Sequence, residues 1–162
     1  MKRYYIKERL MAIGSKFDVY DERNREVYLV EADKFDIGKN ISIYTEDKSK
    51  KLLYLEQKIR FGAHKYEVFN EGGTSIGIVE KEFMSPSYKF TGNAWTLKME
   101  GKSILGRSYK ITKDGSIVGS IEKEFAFGRD RYCVEVLEEG YDEILIGLTI
   151  IVDMVRFHSD GN

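Results

Sequence analysis

Residues equipped for chemistry are few in this chain. His64 and His158 are its only histidines and Cys133 its only cysteine. A His-rich metal site is out of reach, and a nucleophile-base-acid triad would have to use one of two imidazoles. His158 stands in the tail His158-Ser159-Asp160-Gly161-Asn162, where fraying is the default. His64 has no nucleophile near it in sequence. Cys133 alternates with Val134 and Val136 in a strand-like stretch, which reads as a packing thiol. Gly72-Gly73 and the glycines from Gly101 to Gly106 lack the spacing of a P-loop or a dinucleotide fingerprint and fit turn geometry instead. No catalytic residue, no metal ligand and no cofactor is expected.

Binding offers more. In Gln57-Lys58-Ile59-Arg60-Phe61-Gly62-Ala63-His64-Lys65-Tyr66, the basic residues Lys58, Arg60, His64 and Lys65 bracket Phe61-Gly62. Cations around a glycine-containing turn can hold a phosphate or an anionic headgroup, with the aromatic beside them dipping into an interface. The plainer reading of the same residues is a solvated hairpin end. Lys48, Lys50 and Lys51 lie in a turn and read as solubilising. Glu31, Glu56, Glu80 and Glu122 recur at one point of a repeated unit; they could pair in a barrel mouth, but adjacent Lys81 and Lys123 favour exposed cross-strand ion pairs. Trp95 reads as core or rim packing.

The elements carrying these residues are hairpins. A unit of alternating strand, polar turn and return strand ending in an apolar-Glu step occurs over Phe17 to Phe35, Ile41 to Ile59, Tyr66 to Phe83 and Tyr109 to Phe125. Gly72-Gly73 and Asp114-Gly115 supply the positive φ angles that tight turns need. Period-two spacing on the return strands assigns Val27 and Leu29, Leu53 and Leu55, Ile76 and Ile78, and Ile117, with Ile121 displaced, to an inward apolar face. A further strand pair is expected over Ala94 to Gly101 and Arg107 to Thr112, and a late strand over Arg131 to Leu137. Pro86, the lone proline, marks a connection between two halves. With about ten to twelve strands, an open sheet would present long edges, so closure into a barrel or sandwich is favoured. Tyr141 to Phe157 opens with Asp142-Glu143 and closes with Arg156, matching a helix and its dipole. Being apolar on nearly every side, that helix must be surrounded by protein, inside or across the mouth of the β-layer, and Gly147 permits a close backbone contact there.

At 162 residues the chain has the length of one domain, here residues 1–162, able to bury roughly 70% of its unfolded surface. Eleven Tyr and 9 Phe lean the composition toward strands. Twenty-six basic against 27 acidic residues give a net charge of -1, so a domain that grips nucleic acid through a positive field is not expected. A single cysteine cannot form an internal disulfide, which fits a reducing cytoplasm. Met1 to Leu10 is charged and lacks the apolar core of a signal peptide. The apolar run Ile144 to Val152 is far short of the about 20 residues a bilayer span needs, so no transmembrane segment is expected.

With these residues in view, the pattern resembles a known family. Tyr4-Tyr5-Ile6-Lys7-Glu8-Arg9, the strand Phe17-Asp18-Val19-Tyr20-Asp21-Glu22, the return Val27-Tyr28-Leu29-Val30-Glu31 and the terminal hydrophobic helix look like the LURP-one-related family in its bacterial stand-alone form. The resemblance covers almost the whole chain. It implies a mainly β fold: a twelve-stranded antiparallel barrel enclosing a hydrophobic C-terminal α-helix, as in the Tubby C-terminal domain and the phospholipid scramblases. Tubby-type domains bind phosphoinositide headgroups through basic residues, but no motif here matches those residues one by one. The scramblase likeness lacks a palmitoylation-type cysteine cluster. Fold likeness alone carries no activity.

The expected role is a non-enzymatic cytoplasmic binding domain for an anionic phospholipid or a protein partner at the membrane surface. The alternatives are a small-ligand carrier or enzyme using the barrel mouth, and a purely structural or regulatory interaction module. Nothing in the sequence specifies an oligomeric state. One consequence concerns architecture: deleting residues 141–162 would empty the centre of the domain and expose its lining, so cooperative folding should be lost. Thermal melting followed by circular dichroism checks this, and a truncated chain that melts like the parent would make the helix peripheral.

Overall fold

A computed structural model of the chain describes residues 1–11, 13–33, 39–60, 63–102, 107–126 and 129–159, with the backbone alone described at 10, 59, 60, 63, 126, 129, 130 and 156–159. Twelve strands are followed by one helix. They are β1 (Lys2–Leu10), β2 (Ser15–Tyr20), β3 (Glu26–Ala32), β4 (Asn40–Thr45), β5 (Lys51–Arg60), β6 (Ala63–Asn70), β7 (Ser75–Lys81), β8 (Tyr88–Gly92), β9 (Thr96–Gly101), β10 (Ser108–Lys113), β11 (Ser116–Ala126), β12 (Arg129–Val136) and α1 (Asp142–Ser159). Each strand pairs antiparallel with its sequence neighbours, and β1 also pairs with β12, Tyr4 opposite Val134, so the sheet closes and no edge remains. The architecture expected from the sequence is the one observed.

Twelve strands enclose a bore too wide for strand side chains alone to fill. α1 fills it. Leu145, Ile146, Ile150, Ile151 and Val152 are fully buried on all sides of the helix, and Phe17, Tyr66, Phe90, Leu97 and Met99 pack inward from the wall. The single hydroxyl in this apolar stretch, Thr149, donates to the Leu145 carbonyl one turn back at 2.8 Å, which leaves it satisfied. Two glycines set how closely helix and wall approach. A Cβ on Gly147 would lie 3.2 Å from Leu55 on β5, and one on Gly119 would lie 2.3 Å from Leu145 and 2.6 Å from the Glu135 carbonyl oxygen.

The start of α1 is held by hydroxyls. Tyr4 donates to buried Asp142 at 2.5 Å, Tyr28 reaches Glu143 at 3.4 Å, and Lys2 stands 3.5 Å from Asp142. Carboxylates here also complement the positive pole of the helix. Burial, followed by the Asp142 hydrogen bond, pushes the Tyr4 phenol well above its ordinary range, so it stays a donor.

The expected inward faces are only partly correct. Leu53, Leu55 and Ile121 point inward, but Ile78 is 39% exposed and Ile117 50%, and on β3 the inward residues are Val30 and Ala32 rather than Leu29. The reason is a register shift repeated in each of the four hairpins. It falls between Val19 and Tyr20, Ile43 and Tyr44, Val68 and Phe69, and Ile111 and Thr112, just before each turn. One extra residue on the return strand flips every later side chain. β8 completes the barrel between β7 and β9 in a stretch read from sequence as connection, and Pro86 sits in the β7–β8 turn against Gly101.

Alternate connections fall at opposite ends of the barrel. The end where α1 enters carries the β2–β3, β4–β5, β6–β7, β8–β9 and β10–β11 turns; the end where α1 finishes carries the β1–β2, β3–β4, β5–β6, β7–β8, β9–β10 and β11–β12 connections. These are called the entry end and the exit end. Because Gly119 leaves room for Leu145, Gly119→Ala should lower unfolding free energy by about 1–3 kcal/mol. Urea denaturation measures it, and an unchanged midpoint would show that helix and wall do not meet there.

Candidate site at the exit end of the barrel

The basic segment singled out in the sequence forms the tip of the β5–β6 hairpin, with Arg60 paired to Ala63. Phe61, Gly62 and the Arg60 side chain lie outside the described residues. Strand alternation separates the remaining three. Lys58 and Lys65 are cross-strand partners on the outer wall. The Lys58 ammonium stands 3.2 Å from both Glu56 and Glu67, and Lys65 stands 3.3 Å from Glu80. The two carboxylate contacts raise the Lys58 pKa and hold it as a cation. His64 shares the parity of buried Tyr66 and turns to the inner lip. The expected cluster of Lys58, His64 and Lys65 is therefore not brought together: two members are paired outside, and one faces the mouth.

His64 has other cationic neighbours. The β6–β7 ladder runs through Lys65 opposite Glu80, so its next step sets His64 beside Lys81. Burial first, then the charges of Lys81 and Lys39, depress the His64 pKa below the ordinary imidazole value. Lys39, in the β3–β4 connection, is 7% exposed, and its backbone N–H donates to Gln57 Oε1 at 3.0 Å. In front of His64 opens a half-enclosed cleft of about 570 Å³, lined by His64, Glu80, Lys81, Glu82, Phe83, Met84 and Lys89.

The β7–β8 turn that walls this cleft is well tied. Lys81 donates to the Ser85 carbonyl at 2.9 Å, Glu82 N–H to the Ser87 carbonyl at 2.9 Å, and Ser87 N–H to the Ser85 hydroxyl at 3.2 Å. Lys89 makes no ion pair among the described residues. Of the two carboxylates, Glu80 is engaged by Lys65, and Glu82 remains the local opposing charge. An imidazole and two ammonium groups around a half-open hollow can receive a phosphate; an apolar pair beside them suits an amphipathic ligand.

The other sequence candidates fall into structural roles. Glu31 is 2.7 Å from Lys48 and 3.6 Å from Lys16, an arrangement that depresses its pKa, with the Lys48 hydrogen bond as the main cause. Lys48 and Lys51 rest over the Tyr44 ring at the entry end, away from the cleft. The Cys133 thiol is buried, and burial pushes its pKa up to about 11, the opposite of what a nucleophile needs. Trp95 packs between Phe90 and Tyr141 at 4.9 and 4.8 Å. His158 belongs to the last turn of α1 rather than to a frayed tail, and its side chain lies outside the described residues.

Lys39 and Lys89 were not singled out by sequence reasoning, and Lys81 was read only as an exposed ion-pair partner of the repeated glutamates, whereas it donates to the Ser85 carbonyl and lines the cleft. For Lys81 a signal existed: it lies two residues beyond buried Val79, which assigns it to the inner face once the register is known. Lys39 carries no local signal, because it is the pairing of β4 with β5 and of β5 with β6 that brings the β3–β4 connection toward His64.

Among the described residues no helix is long and apolar enough to cross a membrane. No solved structure matches the chain. It is similar to a Bacillus subtilis (strain 168) protein named Uncharacterized protein YxjI, 22% identical over 161 residues that span 99% of this chain and 97% of that relative. The family model described as LURP-one-related matches residues 2–153, so all twelve strands and most of the helix fall within it, and the chain belongs to the LURP-one-related family.

Proposed function

We propose that the domain is a non-enzymatic module that recognises anionic phospholipid headgroups at a cytoplasmic membrane surface through the exit-end cleft. The observation that carries this reading is the grouping of His64, Lys81 and Lys89 around one hollow, with Lys39 adding charge behind it. Buried positive charge that depresses an imidazole pKa is relieved when an anion arrives. With α1 filling the bore, binding is left to the rim. Lys58, Arg60 and Lys65, on the adjoining hairpin, add a supporting role in long-range attraction. The cytoplasmic assignment rests on the single, buried cysteine.

Flotation on vesicles of equal parts phosphatidylglycerol and phosphatidylcholine, against phosphatidylcholine alone, tests the reading. The parent should float only with the anionic vesicles. Since each cation near such a surface contributes about 1 kcal/mol, reversing two in Lys81→Glu/Lys89→Glu should weaken association by about tenfold or more. Glu82→Gln should strengthen it, whereas outward, carboxylate-paired Lys58→Glu should change it less than the Lys81/Lys89 pair. Equal flotation with both vesicles, or a double variant that behaves like the parent, would remove the proposal.

The sign of the pH dependence follows from the His64 environment. Lys39 from the β3–β4 connection, Glu80, Lys81 and Glu82 around the end of β7, and Lys89 from β8 surround it. In the free protein the imidazole is neutral at neutral pH, because its pKa is depressed; a bound anion favours the protonated form. Affinity for phosphatidylglycerol, whose phosphodiester does not titrate in this range, should therefore rise as pH falls from about 8 to about 6. His64→Gln should flatten that profile, and an unaltered slope would place the titrating group elsewhere.

A further inference from the structure

The proposed headgroup site leaves unexplained the most exposed large apolar side chains among the described residues. Phe83 and Met84 at the tip of the β7–β8 turn are each 88% exposed, Ile13 in the β1–β2 turn is 78% exposed, and Phe125 near the end of β11 is 76% exposed. Three of them belong to connections at the exit end, and Phe125 lies at the exit end of β11.

Their setting shows that folding alone does not account for them. Met84 adopts a left-handed backbone conformation, φ 53°. At the entry end the corresponding left-handed positions hold Asn24, Lys48, Gly73, Asp114 and Gly115, all polar or glycine, as turn chemistry favours. A methionine there is both sterically unfavourable and exposed. The turn is nonetheless ordered by the Lys81, Glu82 and Ser87 hydrogen bonds already described, so Phe83 and Met84 are held outward on a firm support.

The ring order then separates the tips. Around the exit end the connections run β1–β2, β11–β12, β9–β10, β7–β8, β5–β6 and β3–β4, so the Phe83–Met84 tip lies across the mouth from the Ile13 tip, with Phe125 between them on one side. Among the described residues these protrusions are spread around the lip rather than gathered into the contiguous apolar patch of a protein interface. They suit a planar, fluid medium that closes around each one. The cleft beside Phe83 and Met84 carries His64, Lys81 and Lys89, the charge that complements an anionic surface.

We infer that the domain docks exit end down on an anionic bilayer, inserting Phe83 and Met84, with Ile13 and Phe125 as flanking tips, into the boundary between headgroups and acyl chains. This rests on the headgroup reading and adds an orientation and an apolar anchor. It places the barrel axis across the membrane plane, the entry-end turns in water, and the cleft at headgroup level beside its own anchor.

Tryptophan scanning of the full chain tests it. Phe83→Trp and Phe125→Trp each add one reporter to a protein whose only tryptophan, Trp95, lies at the entry end and serves as internal control. Vesicles of equal parts phosphatidylglycerol and phosphatidylcholine with brominated acyl chains should quench both introduced tryptophans and leave Trp95 unquenched. Phe83→Ser/Met84→Ser should weaken vesicle association by about tenfold or more with melting unchanged, since both side chains are exposed in the free protein. Vesicle-bound protein whose introduced tryptophans stay unquenched would overturn insertion while the headgroup reading stands, and would leave the tips to a protein partner. Quenching that is equal on neutral vesicles would uphold insertion and remove the headgroup reading. Absence of binding to either vesicle would overturn both.

Discussion

The burial of α1 inside a closed wall of strands is the constraint on which the rest of the molecule depends. A helix apolar on every side cannot stand in water, and twelve strands cannot fill their own bore. Each solves the other's problem. Leu145, Ile146, Ile150, Ile151 and Val152 replace the solvent that the barrel would otherwise admit, and the wall satisfies the helix at its start through Tyr4, Tyr28 and Lys2. With these side chains occupying the interior, the cleft around His64 lies at the rim of the barrel.

The two rims differ in kind. At the entry end, tight turns carry the residues that left-handed backbone favours, and lysines there are absorbed by carboxylates and aromatic faces, as Lys48 is by Glu31 and Tyr44. At the exit end, His64 and Lys81 on the inner lip and exposed Lys89 line one cleft, and large apolar side chains stand outward at the β1–β2 and β7–β8 turns and at the end of β11. Strand alternation produces this separation without any special motif. It sends Lys58 and Lys65 outward to ion pairs and His64 inward to the cleft, although all three lie within one short hairpin tip.

Much of this was legible in the residues. Gly72-Gly73 and Asp114-Gly115 marked true turns, the strand count led to closure, and Asp142-Glu143 marked the helix start. What misled the reading of Leu29, Ile78 and Ile117 was a repeated bulge: local alternation predicts a face only while the register holds, and a bulge is a property of two strands rather than one. The site shows the same boundary between local and non-local information. His64 was identifiable from its cationic neighbours in sequence, but its spatial partners Lys39, Lys81 and Lys89 come from other strands and connections, and their convergence exists only once β4 through β8 have paired. Nothing in the sequence pattern distinguished exposed Phe83 from buried Phe90; the β8 strand that carries Phe90 had to be placed first.

The account as a whole claims that the exit end is the working face of a rigid, filled barrel. Hydrogen exchange of the parent protein with and without phosphatidylglycerol-containing vesicles tests that claim most directly. The account predicts slowed exchange confined to the β1–β2, β5–β6, β7–β8 and β11–β12 connections, with α1 and the entry-end turns unchanged. Protection that falls instead on the entry-end turns or on the outer wall, or that accompanies faster exchange in α1, would contradict it.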